Sequence, residues 1–255
     1  MTLEPQRGGS FGRTAEQYEA GRPGYPPRLL QDVFDEIRRA GAREDLDILD
    51  LAAGTGKLTR QLTEYGSVVA VEPLVEMREQ LIAVLPDVAC LEGSAEAIPL
   101  ADSSVDVVAV GQAYHWFDQR RANPEIWRVL RDGGWLLQLW NNEDESIAWI
   151  VELNEIMSRD DSLGKSSRFK WPEQFDNEPW FTEPVRRDGS MVLARSKRQL
   201  LASMESHSYL SIKPPAERRP ILDEVARLIE GFPDPFDLPY VTVAYLCRKL
   251  PASAS

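Results

Sequence analysis

Two glycines and a carboxylate in the first third of the chain have the types and spacing of a nucleoside site. Gly54 and Gly56 follow the apolar run Asp47–Ala53, and an amphipathic pattern starts at Lys57. Glycine lets the backbone approach a ligand closely and adopts dihedral angles that other residues resist. Glu72 ends the next apolar run, about 18 residues after Gly54, where a carboxylate can accept both hydroxyls of a ribose. The turn therefore indicates a binding site for a nucleoside.

Two other kinds of phosphate-binding turn fit this segment less well. A P-loop requires glycine at position 51 and serine or threonine at position 58, and leucine occupies both positions. A dinucleotide turn prefers a third small residue in G-x-G-x-x-G, and Thr59 stands there, which weakens an NAD site without excluding it. A glycine turn alone can also serve only to pack a helix on a strand. The assignment thus depends on the turn, Glu72 and the strand order together.

The elements that would position this turn form a repeating pattern of apolar runs and helices. The runs are Asp47–Ala53, Ser67–Pro73, Val88–Gly93, Val105–Ala113 and Gly134–Asn141. Their continuous apolar character is typical of central strands in a parallel sheet that is covered on both faces. We expect the helix after the first run to stop at Gly66, and the helix that starts at Asp118 to break at Pro124 and to end just before Gly133. The alternation predicts a right-handed, doubly wound α/β sheet.

The chain after Asn142 shows a different pattern. It contains helical stretches, a strand candidate at residues 190–194 and a closing apolar run from Val241 to Leu250. In the closing run, alternate residues share one face, which predicts an edge strand or an antiparallel strand; they are Val241, Val243, Tyr245 and Cys247. Several aromatic residues either line a lid over the substrate or pack as an ordinary core; they are Trp149, Trp171, Trp180 and Tyr209.

Composition limits the partners and the compartment. The chain has 255 residues, 43% of them hydrophobic, and a formal net charge of −12, so its long-range field repels nucleic acid and anionic membranes. Cys90 and Cys247 each lie in an apolar run, which favours buried thiols in a reducing compartment over a disulfide. The sequence has no apolar leader and no run of about 18 apolar residues. We expect a soluble cytoplasmic protein without nucleic-acid or membrane partners.

Four motifs in a fixed order give a more specific resemblance. They are DLAAGTGKLT, AVEPLVEM, EGSAEAIPLADSSVDVVAVGQAYHWFD and EIWRVLRDGGWLLQLWN. As a set they resemble the successive motifs of class I S-adenosylmethionine-dependent methyltransferases. The segment FGRTAEQYEAGRPGYP resembles the N-terminal part of the branch that acts on small molecules, which includes trans-aconitate methyltransferases and their relatives. The resemblance covers roughly Phe11 to Asn141.

This resemblance implies a fold and a division of the chain. The fold is a doubly wound, mostly parallel, seven-stranded Rossmann-like α/β sheet with an antiparallel edge strand and an inserted helical lid region. Residues 1–45 would form N-terminal helices that close over the cofactor, and residues 46–142 the cofactor-binding α/β core. Residues 143–240 would form the helical lid and substrate-recognition region, and residues 241–255 the closing strand and tail.

The resemblance also implies roles for individual residues. The residues that would bind S-adenosylmethionine are Tyr18, Arg22, Asp50, Ala53, Gly54, Thr55, Gly56, Glu72, Pro73, Leu74, Met77, Ser94, Ala95 and Gln112. Among them, Glu72 would hold the ribose hydroxyls, and Tyr18 and Arg22 would close over the cofactor's carboxylate. Many relatives have aspartate where this chain has Ser94, and Glu96 is an alternative partner for the adenine. The substrate would meet Tyr25, His115 and Trp116.

His115 is the one titratable group that the sequence places near the reacting centre. Methyl transfer from a sulfonium is an in-line displacement that mainly requires alignment and exclusion of water. His115 could take a proton from a hydroxyl acceptor or orient a carboxylate, which needs no base. Equally, it could cap the helix that begins near Asp118. The sequence has no cluster of residues with metal-ligand spacing, so we expect no metal.

The implied function is that of a methyltransferase for a small-molecule acceptor, with an organic acid as one candidate. The resemblance further implies a monomer or a weak homodimer. Because a shared fold does not fix function, three alternatives stay open. These are a protein or nucleic-acid methyltransferase, a non-catalytic module that binds the cofactor and, with less support, an NAD-dependent oxidoreductase.

Overall fold

A seven-stranded sheet organises the protein. The computed structural model describes residues 23–159, 179–205, 210 and 213–251. The strands are β1 (Leu46–Leu51), β2 (Gly66–Glu72), β3 (Ala89–Glu92), β4 (Val105–Gly111), β5 (Leu130–Glu143), β6 (Val185–Arg195) and β7 (Phe236–Arg248). Their order is β3-β2-β1-β4-β5-β7-β6. Strands β1 to β5 are parallel, whereas β7 runs antiparallel to both β5 and β6. The predicted Rossmann-like fold class is confirmed.

Helices follow most of the strands and cover the sheet. They are α1 (Pro27–Arg39), α2 (Lys57–Leu62), α3 (Val75–Val84), α4 (Gln119–Val129), α5 (Ala148–Ser158), α6 (Lys197–Glu205) and α7 (Pro215–Leu228), with a 3₁₀ turn at Tyr114–Trp116. Helix α1 starts with a proline at its first position, where the missing N–H costs nothing. Its apolar residues recur at helical spacing and are buried against the sheet, as Leu30, Phe34 and Ile37 show.

The sheet is buried on both faces, as the continuous apolar runs predict. One face packs under α4, with Val108, Leu136 and Ile126 in a single cluster. The opposite face packs under α1 and α2, with Val107 and Leu58 in the second cluster. Because successive side chains of a strand point to opposite faces, a strand covered on both sides favours apolar residues at most of its positions.

The closing run forms an antiparallel strand, and its predicted alternation is confirmed. Val243, Tyr245 and Cys247 belong to the cluster on the α4 face, and Val241 packs against it. Of the two predicted alternatives the antiparallel one holds for β7, which lies one strand inside the sheet, and the antiparallel edge strand of the fold is β6. Exposed residues alternate along β6, as an edge strand tolerates, whereas β7 is buried over most of its length.

Three local expectations about helix ends are wrong. Helix α2 ends at Leu62, and Gly66 instead opens β2, where an added Cβ would overlap the carbonyl oxygen of Leu46. Helix α4 continues through Pro124. The carbonyl that this proline leaves unpaired belongs to the exposed Arg120, so water can satisfy it. Gly133 lies inside β5 with a φ of 74° and is not a helix stop.

A third hydrophobic cluster lies beyond the carboxyl end of β5. The last pair between β5 and β7 is Glu143 with Tyr240, but β6 and β7 stay paired as far as Arg195 and Phe236. Helices α5, α6 and α7 pack on this extension, with Leu153, Leu200 and Val225 among the buried residues. The extension therefore projects past the same sheet edge at which the parallel strands end.

The four aromatic residues that were candidates for a lid lie in different parts of the chain's structure or outside its described residues. Trp149 is partly buried and contacts Phe232 and Phe236 edge to face, so it packs against the third cluster. Trp180 contacts Trp127 near the end of β7, at the opposite sheet edge. Trp171 and Tyr209 lie outside the described residues. Within the described helices, none is both long and apolar enough to cross a membrane.

Candidate functional site

Two strained backbone positions mark the edge at which β1 and β4 end. The direction of strand order reverses between β1 and β4, and ligands of open α/β sheets bind in the crevice at such a switch point. Ala52 and Gln112, just beyond these two strands, have φ values of 59° and 57°. Positive φ is uncommon for residues with a side chain, and it is concentrated at functional sites.

The glycine turn follows β1 and holds its shape through contacts with β2. The N–H groups of Ala52 and Ala53 both donate to the carbonyl of Val71, at 2.8 and 3.2 Å. Gly54 has a φ of 59° and nothing within 4 Å of an added Cβ, so that side of the turn is open. Gly56 has a φ of 88°, and an added Cβ would lie 3.0 Å from Leu81. Gly56 thus serves helix packing, whereas Gly54 borders open space.

Glu72 is bound to the glycine turn. Its Oε2 accepts the N–H of Gly54 at 2.9 Å and its Oε1 accepts the N–H of Leu74 at 3.0 Å. Burial raises the pKa of this carboxyl, and the two N–H donors and the charge of Arg78 oppose that rise. An ionised carboxylate has about four acceptor positions, so each oxygen keeps one lone pair. The carboxylate is therefore fixed by the backbone and can still accept two hydroxyls.

Asp50 lies under the same turn and is 1% exposed. The Thr59 hydroxyl donates to its Oδ2 at 2.6 Å. Burial raises the pKa of Asp50 to about 7, because the hydrogen bonds from Thr59 offset only part of the desolvation and the charge of Glu72 adds to the rise. The turn thus encloses two carboxyls, one of which titrates near neutrality.

The residues predicted to surround the adenine lie around the end of β2 and the turn after β3. Pro73 and Leu74 are half-buried, and Met77 on α3 is buried. Ser94 and Ala97 exchange two backbone hydrogen bonds, at 3.4 and 3.1 Å. These bonds make a tight turn that encloses the buried Ala95. The described residues are therefore grouped as predicted, although their roles stay predictions.

Glu96, an alternative partner for the adenine in the sequence analysis, forms a hydrogen bond within the protein. Its Oε1 accepts the backbone N–H of Asp118 at 3.0 Å. This bond joins the loop after β3 to the loop after β4, which carries His115 and Trp116. Glu96 therefore stabilises the relative position of the two loops, and this use competes with a hydrogen bond to adenine.

A network of amides joins the ends of β4 and β5 to the start of the described chain. The Nε2 of Gln112 donates to the carbonyl of Asn141 at 3.0 Å, and the Asn141 Nδ2 donates to the carbonyl of Gly24 at 2.9 Å. The buried Thr242 hydroxyl donates to the Asn141 Oδ1. On the other side, the Gln61 side chain bonds both the N–H and the carbonyl of Tyr25, at 2.8 and 2.7 Å. These bonds fix the backbone at Gly24 and Tyr25.

The three predicted substrate residues occupy unlike positions. His115 is exposed, and its ring lies 4.9 Å from that of the half-buried Trp116. Tyr25 is 6% exposed, and its hydroxyl lies so close to Gly111 that a Cβ there would overlap it. His115 and Trp116 are thus accessible beside the site, whereas Tyr25 packs under the end of β4. Tyr18 and Arg22 lie outside the described residues, and Thr55 is buried within the turn.

Three residues that contribute to the site were not assigned to it from the sequence: Gln61, Arg78 and Asn141. Only Asn141 had a usable signal, because it ends the fifth apolar run beside the predicted switch point. The contacts of Gln61 and Arg78 depend on tertiary geometry that no local pattern encodes.

Comparisons with known proteins agree with this geometry. A family profile described as a methyltransferase domain matches residues 49–138. An uncharacterised methyltransferase of Mycobacterium tuberculosis is 42% identical over 240 residues, which is 92% of this chain and 93% of that protein. The chain belongs to the S-adenosylmethionine-dependent methyltransferases. The matched residues begin in β1 and end in β5, so they include the glycine turn, Glu72 and Gln112.

Other similar proteins extend the finding. A solved structure from Anaeromyxobacter dehalogenans, provisionally named a type II methyltransferase, superposes with a TM-score of 0.66 at 25% identity. The superposition covers 89% of this methyltransferase and 97% of that chain. A malonyl-[acyl-carrier protein] O-methyltransferase of Pectobacterium atrosepticum is 34% identical over 175 residues, 63% of this chain and 61% of its own length. The alternative of an NAD-dependent oxidoreductase is therefore set aside.

Proposed function

We propose that this methyltransferase binds S-adenosylmethionine at the ends of β1, β2 and β3 and methylates a small organic acid. One observation carries the cofactor assignment. The Glu72 carboxylate is fixed by two backbone N–H groups, one of them from the glycine turn. Each of its oxygens keeps a lone pair, and two adjacent acceptors match the two vicinal hydroxyls of a ribose. The open side of Gly54 gives the ligand room to approach.

The protein's part in the reaction is alignment. When bound, S-adenosylmethionine supplies a methyl group on a sulfonium that is already a good leaving group. Glu72 and the turn would hold the nucleoside, and Gln112 and Asn141 would define the β4–β5 side where the acceptor lies. Because Gln112 donates its Nε2 hydrogen to a carbonyl, its Oε1 must face away from Asn141. Such positioning accounts for a large share of the rate in a displacement of this kind.

The acceptor class rests on two supports. A relative is named as an O-methyltransferase of a malonyl group, and a malonyl group carries a carboxylate. A carboxylate is already ionised, so it needs no buried general base. The exposed His115 fits the orientation of a charged group better than the deprotonation of a hydroxyl in a dry pocket.

The remaining features of the proposal concern partners and organisation. We expect a cytoplasmic monomer or weak homodimer without nucleic-acid or membrane partners, and the net charge of −12 supports the exclusion of polyanions. We also keep the proposed division into residues 1–45, 46–142, 143–240 and 241–255. The third cluster, which projects past the carboxyl edge of the sheet, supports a lid role for the helices after β5.

The first experiment tests the cofactor site. Calorimetric titration with S-adenosylhomocysteine should give saturable binding to the wild-type protein. Glu72→Gln should weaken it by about 100-fold, because one neutral amide cannot accept from both hydroxyls and its NH₂ opposes a backbone N–H. Glu79→Gln, on the exposed face of α3, is the control with the same change of charge. Absence of binding in a folded wild-type protein would refute the cofactor site.

The second experiment tests the acceptor. Transfer of isotope-labelled methyl would be measured to di- and tricarboxylic acids, to phenols and to a mixed protein and RNA sample. With a carboxylate acceptor, His115→Ala should change kcat by less than about threefold, because no proton has to be removed. With a phenol, the loss of a general base would lower kcat by roughly 100-fold or more. Transfer to macromolecules alone would reject the small-molecule assignment.

A further inference from the structure

Arg78 on α3 forms an unusual set of contacts at the end of β2. Its Nη1 donates to the carbonyls of Glu72 and Pro73, at 2.9 and 2.8 Å. Its Nη2 forms an ion pair with the Glu92 carboxylate on β3 at 2.9 Å. The Arg78 side chain is 14% exposed, whereas that of Glu92 is 78% exposed. One guanidinium thus connects β2, the turn after β2, and β3.

These contacts act on the segment that is proposed to hold the nucleoside. Glu72 is the last residue of β2 and pairs with Glu92 on β3, but the pairing of β2 with β1 already ends at Leu51 and Val71, and Pro73 lies beyond both ladders. A strand end that is paired on one side only is less restrained than one paired on both sides. Hydrogen bonds from a charged donor are roughly twice as strong as neutral ones, so Arg78 restricts that freedom. Restricting Glu72 fixes the carboxylate that is proposed to accept the ribose hydroxyls. Restricting Pro73 fixes the first of the residues that are predicted to lie against the adenine.

We propose that Arg78 is a positioning residue for cofactor binding, which holds the backbone of Glu72 and Pro73 and supplies the positive charge beside the ribose-binding carboxylate. The inference rests on the proposed function. It makes Arg78 act through Glu72 and Pro73, and it assigns Arg78 no contact with the ligand.

The guanidinium of Arg78 also affects the ionisation of Glu72, because other acidic groups surround this carboxyl. Asp50 on β1 is a second carboxyl, and Cys90 and Glu92 lie on β3. Glu76 and Glu79 on α3 are exposed. Burial raises the pKa of Glu72, and the charge of Arg78 acts in the opposite direction. Loss of that charge therefore raises the pKa of Glu72 further, so protonation of the ribose acceptor starts at a higher pH.

Two substitutions separate the charge from the geometry. Arg78→Gln removes both, whereas Arg78→Lys keeps the charge but replaces the planar fork by a single ammonium. The exposed Arg219→Gln on α7 is the control with the same change of net charge as Arg78→Gln. Each protein would be titrated with S-adenosylhomocysteine between about pH 6 and about pH 8.5, with thermal unfolding as the check on folding.

The expected result has two parts. At the high end of the pH range, both Arg78 variants should bind about tenfold more weakly than wild type, as for the loss of one hydrogen bond to a charged group. As the pH falls, the ratio of Arg78→Gln to wild-type dissociation constants should widen, whereas the Arg78→Lys ratio should stay constant. Titration of Asp50 occurs in every variant and therefore largely cancels in these ratios.

The outcomes distinguish this inference from the proposed function. If the wild type binds and the Arg78 variants match Arg219→Gln in affinity and pH profile, Arg78 has no positioning role. If both Arg78 variants lose affinity equally at every pH, the contribution of its charge is refuted. If Arg78→Gln fails to fold, the Arg78→Lys titration alone decides whether the fork is needed. If the wild type itself does not bind, the proposed cofactor site has failed.

Discussion

The Asp50→Asn substitution gives a direct test of the electrostatics under the glycine turn. Asp50 is 1% exposed and accepts the Thr59 hydroxyl, but among the described residues no cation pairs with it. Its pKa rises from 3.8 to about 7 on burial. Between these values the folded protein holds a proton that the unfolded chain has released. The free energy of unfolding must therefore fall as the pH rises through this window.

The magnitude follows from the size of the shift. Each unit of pKa difference corresponds to about 1.4 kcal/mol, so the cost of ionising Asp50 approaches roughly 4 kcal/mol above neutrality. Between about pH 5 and about pH 8, the wild type should lose about 3 kcal/mol that Asp50→Asn does not lose. The amide adds its own packing cost, but that cost is independent of pH. The test is therefore how the difference in free energy of unfolding between wild type and Asp50→Asn changes with pH.

Urea unfolding at several pH values, without cofactor, would measure this difference. Asp106→Asn is the matched control on the neighbouring strand β4. Asp106 is also buried, but its Oδ2 accepts from Arg131 and from the N–H of Asp47, each at 2.8 Å. The Arg131 side chain is 31% exposed, so loss of these hydrogen bonds to a charged group should cost the control about 1–3 kcal/mol, at a pH where Asp50→Asn gains stability.

Two results would refute the reasoning. If the free energies of unfolding of wild type and Asp50→Asn differed by the same amount at every pH, Asp50 would be ionised over the whole pH range. If Asp50→Asn were less stable than wild type by an amount that grows with pH, a cation would have to compensate the charge of Asp50. A gain in stability together with weaker binding of S-adenosylhomocysteine would show that the carboxylate is retained for function at the expense of stability.

Two further perturbations test the packing next to the site. Gln138 on β5 is fully buried, and within the described part of the chain neither its Oε1 nor its Nε2 has a hydrogen-bond partner. Gln138→Met should therefore raise the free energy of unfolding by about 1–3 kcal/mol in urea unfolding, and a loss instead would reveal a polar partner. Gly111→Ala should cost about 1–3 kcal/mol through overlap with the Tyr25 hydroxyl. Adding Tyr25→Phe should recover part of this loss in a double-mutant cycle, and strict additivity would exclude the contact.

The sequence predicted the sheet well because burial on two faces leaves a strong local pattern. The continuous apolar runs identified β1 to β5, and the alternation from Val241 to Cys247 predicted an edge strand or an antiparallel strand, of which β7 is the second. The position of β7 inside the sheet is a property of pairing with β6. Half of β6 is polar and exposed, so its run Val185–Arg195 resembles a charged surface segment as much as a strand.

The site was predictable where the chemistry is local. Gly54 and Glu72 were found from a turn and a strand end, and the structure joins them by a hydrogen bond. The Arg78 and Gln61 contacts were not predictable, because all but the Glu92 carboxylate among their partners are backbone atoms, and every residue has the same backbone atoms. Their recognition needs the distance between elements, which a single sequence does not contain.

The switch point between β1 and β4 divides the sheet into two halves, to which the proposed function assigns separate roles. Glu72, Asp50 and Arg78 lie on the β1–β3 side, and Gln112, Asn141 and the third cluster lie on the β4–β7 side. The cofactor half is closed by its own contacts, since Glu72 bonds Gly54 and Arg78 bonds Glu72, Pro73 and Glu92. Under the proposed function, sequence change in the helices after β5 would alter which acceptor is received without disturbing those bonds. Related proteins could in this way keep the same cofactor site and differ in the compounds that they methylate.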